Sequence, residues 1–269
     1  MLQRTINRIN IFQKYRELFF QLVTNEIKLK YRNSILGYFW SVLNPLLIMV
    51  VKVIVFTRLF DRAIPNFPVY LLCGQMLFSF MSSSSSRSLH SVTGNAGILK
   101  KIYVPKYIFT FSSVTSELLT FIFSLGALVI VIVATKTPVT FYAFLIIIPI
   151  FLQYIFCIGL GLFLAQATVF FRDVQYIWSV IVTAWLFLCA IFYPVSILPD
   201  TVRYLVENYN PMYFYITMFR MFVIGFDHPV LVNIDIINLI IRGVSAAVLM
   251  LLLGYASFSW SKNKFILYI

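Results

Sequence analysis

The chain has 269 residues, of which 61% are hydrophobic and only 11% charged, under half the charged share of an ordinary soluble domain, about 25%. So few charges cannot cover a water-facing surface, which excludes a soluble globular protein and makes lipid the solvent for much of the chain. The formal net charge is +12, but the basic residues fall between long apolar runs rather than on one soluble face, which sets nucleic-acid binding aside.

The first 33 residues are polar and basic, unlike a cleavable signal peptide. Within residues 9–30, Ile11, Tyr15, Leu18 and Leu22 follow helical spacing beside Phe12, Phe19 and Val23, while Lys14, Arg16, Glu17, Gln21 and Lys28 interrupt the apolar run. This pattern predicts an amphipathic helix lying along the cytoplasmic interface, as a membrane anchor or as a docking element for a partner.

Charge-free windows then predict six membrane-spanning helices near 35–57, 68–91, 108–135, 139–169, 174–197 and 237–260. Each is long enough to cross about 30 Å of hydrocarbon. With an even number of spans both ends share one side. Fourteen Lys and Arg fall on that side and five (Arg58, Arg62, Lys136, Arg203, Arg220) on the other. The positive-inside rule puts both termini in the cytoplasm, with 262–269 as a cytoplasmic tail.

The serine run 82–86 lies inside the second span, where it allows close helix packing or lines a pore. Between spans five and six, Pro194, Pro199 and Pro211 punctuate two stretches too short to cross, 201–207 and 212–226. These predict re-entrant or interfacial helices. Phe192, Tyr193, Tyr204, Tyr209, Tyr213 and Tyr215 make the region 198–230 either an aromatic belt or an outer gate. The fold class is therefore all-α integral membrane: a transmembrane domain over 34–261, with an N-terminal interface helix and short helices between spans five and six.

Several chemistries are missing. No glycine is followed by lysine, so the chain carries no P-loop of its own. Cys73, Cys157 and Cys189 have unrelated spacings, His90 and His228 are far apart, and no metal site is expected. Glu117 is the one acid well placed inside a span, thin support for an ion-coupled carrier. No acids or histidines cluster as catalytic groups, although a lipid-modifying membrane enzyme stays open as an alternative. Lys52, inside the first span, must snorkel outward or face a wet lumen.

Four segments carry a resemblance. NEIKLKYRNSILGYFWSVLNP (25–45), GNAGILKKIYVPK (94–106), VFFRDV (169–174) and NPMYFY (210–215) stand in the order of the ABC-2 type exporter permeases. The chain resembles most the polysaccharide branch, which serves O-antigen, capsule and teichoic acid.

The resemblance implies a homodimer in the bacterial inner membrane, with two copies of a cytoplasmic P-loop ATPase that carry ATP and Mg. Its cargo would be a polyprenyl-diphosphate-linked polysaccharide. It makes 94–106 the ATPase-coupling loop. There Gly94 and Gly97 are expected to permit a tight turn, with Asn95 between them. Ile98, Leu99, Ile102 and Val104 would fill a groove on the ATPase, Lys100, Lys101 and Lys106 would sit at its rim or at headgroups, and Pro105 ends the loop helix. The same loop serves orientation alone in the simpler reading. Arg172 and Asp173 would hold the turn between spans four and five against the coupling region.

Lys30 and Arg32, at the cytoplasmic mouth, would receive the diphosphate or snorkel to headgroups. Tyr38, Trp40, Phe78, Trp185 and Tyr193 are candidate channel aromatics, because flat rings suit the C–H faces of sugars.

Overall fold

A computed structural model of the chain describes residues 2–32, 34–59, 64–100, 104–138, 141–232 and 234–261, with side chains from Tyr15 onward, leaving out those of 57–59 and 261. Among the described residues every regular element is helical. The helices are α1 (Leu2–Tyr31), α2 (Trp40–Leu59), α3 (Phe67–Ser91), α4 (Ala96–Leu99), α5 (Tyr107–Thr135), α6 (Ile147–Phe170), α7 (Val174–Leu188), α8 (Asp200–Tyr209), α9 (Pro211–Ile224) and α10 (Ile236–Ser261). The tail 262–269 lies outside the described residues.

Among the described residues four helices are long and apolar enough to cross a membrane: Gly37–Phe56, Tyr107–Thr135, Phe141–Phe170 and Ile236–Trp260. These correspond to the predicted spans one, three, four and six. Helices α7 and α9 are apolar but shorter.

Helix α3 is the hub of the bundle, contacting α2, α5, α6, α7 and α9. Residues 69–78 are buried without interruption, so its environment is protein rather than lipid. A polar stretch is tolerable there when its hydroxyls are satisfied, and the buried serines Ser84, Ser85 and Ser88 of α3 meet that condition. Ser84 donates to Met81 O at 3.0 Å, Ser85 to Ser82 O at 3.0 Å and Ser88 to Ser84 O at 2.7 Å. Trp178 of α7 then donates its indole N–H to Ser85 Oγ at 3.0 Å. The small side chains also let α6 come close: a Cβ on Gly161 would lie 2.6 Å from Ser88 Oγ.

The fifth predicted span requires correction. The sequence predicts a helix over 174–197, whereas α7 stops at Leu188. Ala190 then takes a left-handed conformation with φ +49°, a cost for a residue with a Cβ. Two later residues hold this break. Asn210 caps α9 by accepting from Met212 N–H at 3.1 Å, accepts the Trp185 indole N–H at 2.9 Å and donates to Leu188 O at 2.9 Å. Arg220 donates to Ala190 O and Ile191 O, each at 3.1 Å. The NPMYFY motif is thus a structural clasp: Asn as N-cap, Pro at the first helical position, and Tyr215 donating its hydroxyl to Gly243 O of α10 at 3.0 Å.

Charge counting assigns Arg220 to the non-cytoplasmic side, within the stretch 212–226; it is 1% exposed inside α9. Lys52 is half-buried, its Nζ lying 4.9 Å over the Phe192 ring. Phe192 in turn stacks on Phe56 at 5.0 Å between centroids.

Candidate functional site

The site is built where α1 meets the bundle. Phe19 and Val23 of α1 are buried against Val104, Ile108 and Phe109 at the start of α5, with Tyr15, Leu18, Leu22 and Ile27 packed around them. One face of the helix therefore seats on the protein, while Phe20 and Leu29 stay exposed at 56% and 55%. The Arg16 guanidinium sits 5.8 Å over the Phe20 ring. The side chains of Ile11 and Phe12 lie outside the described residues.

Further along, α1 is latched by charge. Glu117 of α5 has a side chain only 4% exposed. It accepts from Lys30 Nζ of α1 at 3.0 Å on both carboxylate oxygens and from Arg87 Nε of α3 at 2.7 Å. Arg87 Nη1 also reaches Glu26 of α1 at 3.4 Å, and Glu26 accepts from Ser113 at 2.8 Å and Ser116 at 2.7 Å. Two cations and two carboxylates thus balance across three helices. An isolated buried carboxylate would be costly, and this one is doubly paired. Beside it, burial first and Glu117 second push the Tyr31 phenol above its usual value, keeping it neutral.

Glu117→Gln would leave two cations facing a neutral amide. Lys30 and Arg87 side chains are 29% and 34% exposed, so water offsets part of the penalty, and the expected loss is about 2 kcal/mol. The measurable consequence is release of α1, seen as faster tryptic cleavage after Arg32. Cleavage at the wild-type rate would show that the latch does not hold α1.

The predicted coupling segment leaves the C-terminus of α3 as a short turn, Thr93–Asn95, followed by the single-turn α4. Asn95 donates its amide to Ser91 O at 2.8 Å, closing the end of α3. Ile98 is 36% exposed at the tip and Lys100 is exposed, whereas Leu99 is half-buried and touches both neighbouring core clusters. Val104 is buried against α1 rather than presented outward, and Pro105 is half-buried ahead of α5. Lys101 and Ile102 lie outside the described residues.

The reason expected for the glycines needs correction. Neither Gly94 nor Gly97 has positive φ, and nothing lies within 4 Å of a Cβ on either. The turn does not need their flexibility; their missing side chains leave bare backbone at the surface.

Arg172 and Asp173 are exposed in the turn before α7, and among the described residues their side chains make no hydrogen bond or ion pair. Arg32 is exposed one residue beyond α1. Tyr38 and Trp40 are 48% and 41% exposed, with Tyr38 against Tyr31 at 5.1 Å between centroids. Trp185 is half-buried by its bond to Asn210, and Tyr193 is half-buried with its hydroxyl donated to Phe187 O. Phe78 is 5% exposed in the main core, turned away from any surface. Sequence reasoning singled out Lys30 and Glu117 separately but missed Glu26 and Arg87, whose partners are 30 to 90 residues away.

The sequence pattern of the ABC-2 type transporters matches residues 17–224. The chain belongs to the ABC-2 type transporter family. Among its relatives, the O-antigen export system permease protein RfbA of Myxococcus xanthus is 31% identical over 83% of this chain and 85% of its own length. An O-antigen export system permease protein RfbA of Klebsiella pneumoniae is 30% identical over 71% of this chain and 74% of its own. The polysialic acid transport protein KpsM of Escherichia coli is 33% identical over a shorter stretch, 29% of this chain and 31% of its own. This ABC-2 permease is a multi-pass membrane protein and a transport subunit rather than an enzyme. Its family works with an ABC ATPase partner.

Proposed function

We propose that the chain is the permease subunit of an ATP-driven exporter of lipid-linked polysaccharide of the O-antigen type. It acts as a homodimer in the bacterial cytoplasmic membrane with two copies of a P-loop ATPase, which bind the ATP and Mg. Six crossings result when α3 and the broken α7, with its continuation to Ile197, join the four long apolar helices. The excess of Lys and Arg on one side puts both termini in the cytoplasm.

The observation that carries the reading is the exposed turn Gly94–Lys100, mounted on α3 and packed through Leu99 and Val104 onto α1 and α5. A push on this turn reaches the interface helix and the bundle together. Ile98 enters an apolar groove on the ATPase, the bare backbone at Gly94 and Gly97 permits close approach, and Lys100, Arg172 and Asp173 meet its charged rim. Because Lys30 is held by Glu117, the exposed Arg32 is the cation that receives the diphosphate. Tyr38 and Trp40, the most exposed of the five candidate rings, begin the aromatic path for sugar.

The test is to purify the chain with the P-loop ATPase encoded beside it and measure ATP turnover and surface glycan. Ile98→Asp is expected to abolish co-purification and export while the chain still inserts and folds. Leu99 is a poorer probe because it also packs inside. A complex that survives Ile98→Asp intact would remove the coupling assignment. A surface glycan unchanged on deletion of the chain, with loss of a teichoic acid, drug or lipid flux instead, would replace the cargo.

A further inference from the structure

Between the end of α1 and helices α2, α3 and α5 lies a cavity of about 360 Å³, within the size range of ligand sites, about 300–1,000 Å³. Its walls combine one exposed indole, Trp40, with the amides of Asn44 and Gln75 and the hydroxyls of Ser83, Thr120 and Ser124.

Gln75 is the informative residue. It is 6% exposed, donates its amide to Pro45 O at 3.4 Å and, among the described residues, leaves Oε1 without a partner. A buried acceptor left unmade in a protein interior calls for a donor. The hydroxyls point the same way: Thr120 donates to Ser116 O at 3.0 Å and Ser124 to Phe121 O at 2.7 Å, so their oxygens remain as acceptors. The charges at the rim, Lys30 and Glu117, are paired with each other and with Arg87, itself paired with Glu26. No net charge is left to attract a phosphate. An uncharged, acceptor-rich wall beside a flat ring suits a ligand with several O–H donors and an apolar C–H face.

We infer that this cavity binds a neutral sugar ring of the exported glycan, beside the cationic mouth that takes its lipid anchor. The inference rests on the polysaccharide reading above and names a subsite within it. Trp40 covers the C–H face of the ring, Gln75 Oε1 accepts one of its hydroxyl protons, and the Glu117 cluster keeps the rim neutral.

The experiment uses the permease–ATPase complex in its native membrane, with benzoylphenylalanine introduced at Asn44. A control carries it at Phe144, which is 63% exposed outside the cavity. Cells are fed a tritiated hexose so that the probe is their own lipid-linked glycan. Irradiation is expected to put tritium on the permease from position 44 and not from 144. Adding Gln75→Leu should lower that yield about fivefold to tenfold, the loss of one hydrogen bond, with dimer and ATPase co-purification unchanged. Capture of phospholipid, or of nothing, at position 44 overturns the inference, as does a yield indifferent to Gln75. If deleting the chain leaves the surface glycan intact, the cargo reading itself falls. If deletion removes the glycan but position 44 takes no sugar, only the subsite falls.

Discussion

Replacing Arg220 with leucine is expected to destabilise the permease by about 3–5 kcal/mol, read as a lower thermal unfolding temperature of the detergent-solubilised protein. The guanidinium is 1% exposed and donates to Tyr70 O, Ala190 O and Ile191 O, each at 3.1 Å, with its Cζ 3.5 Å over the Tyr70 ring. Among the described residues no carboxylate pairs with it; carbonyl dipoles and the ring face carry its charge. Two effects oppose each other. Leucine removes a desolvated charge, a gain of several kcal/mol. It also forfeits three charge-assisted hydrogen bonds at about 1.5–3 kcal/mol each and a buried cation–π contact of about 2 kcal/mol. The second set is larger, because the broken backbone after Leu188 has few other donors. Ile191 O would lose its donor, and Ala190 O would keep only the Tyr70 hydroxyl at 3.4 Å. Arg220→Lys keeps the charge but reproduces at most part of the fork, so it should do no better than leucine. A leucine variant that unfolds with wild-type stability would show that the break stands without its pin.

The same pin marks where the sequence stops being readable. Helix ends set by charge-free windows were legible: the prediction of 108–135 meets α5 at Tyr107–Thr135, and 237–260 meets α10 at Ile236–Ser261. Hydrocarbon thickness and the cost of burying charge act locally, so they leave a local trace. The end of α7 leaves almost none. The apolar run continues past Leu188, and the groups that stabilise its interruption stand on Asn210, Arg220 and Tyr70, at least 20 residues distant. Arg220 itself counts only as one more cation on the outer side, because nothing in its own neighbourhood announces three carbonyl acceptors. Glu117 was conspicuous as an acid within a span, but its partners Lys30 and Arg87 come from two other helices. The serine run was readable only as a choice between packing and pore. The indole of Trp178 and the closeness of Gly161 explain how its buried serines pack.

Gly254→Val is expected to have the other large effect, loss of about 4 kcal/mol or more and of export with it. Helices α6 and α10 form the most extensive helix pair among the described residues, and they cross glycine against glycine. A Cβ on Gly254 would lie 2.0 Å from Gly159 O and 2.9 Å from Gly159 Cα; one on Gly159 would lie 2.4 Å from Met250 O. These neighbours are backbone, so no rotamer change relieves the clash and the helices must separate. Within lipid, apolar transfer gives little drive to hold separated helices together, and close van der Waals contact supplies the association. Gly254→Ala should already cost about 2–3 kcal/mol, the upper range for overpacking. Because Gly159 and Gly254 share one contact, their double alanine variant should cost less than the two single losses added. Gly126→Ala is the matched control: its Cβ would meet Val42 Cγ2 at an ordinary 3.5 Å, and alanine favours helix there by about 1 kcal/mol. Thermal unfolding of Gly254→Val, the two single alanine variants at 159 and 254, their double and Gly126→Ala separates the cases. Equal effects at 126 and 254 would mean that loss of glycine itself matters rather than the crossing. Strict additivity of 159 and 254 would mean that the two glycines do not meet.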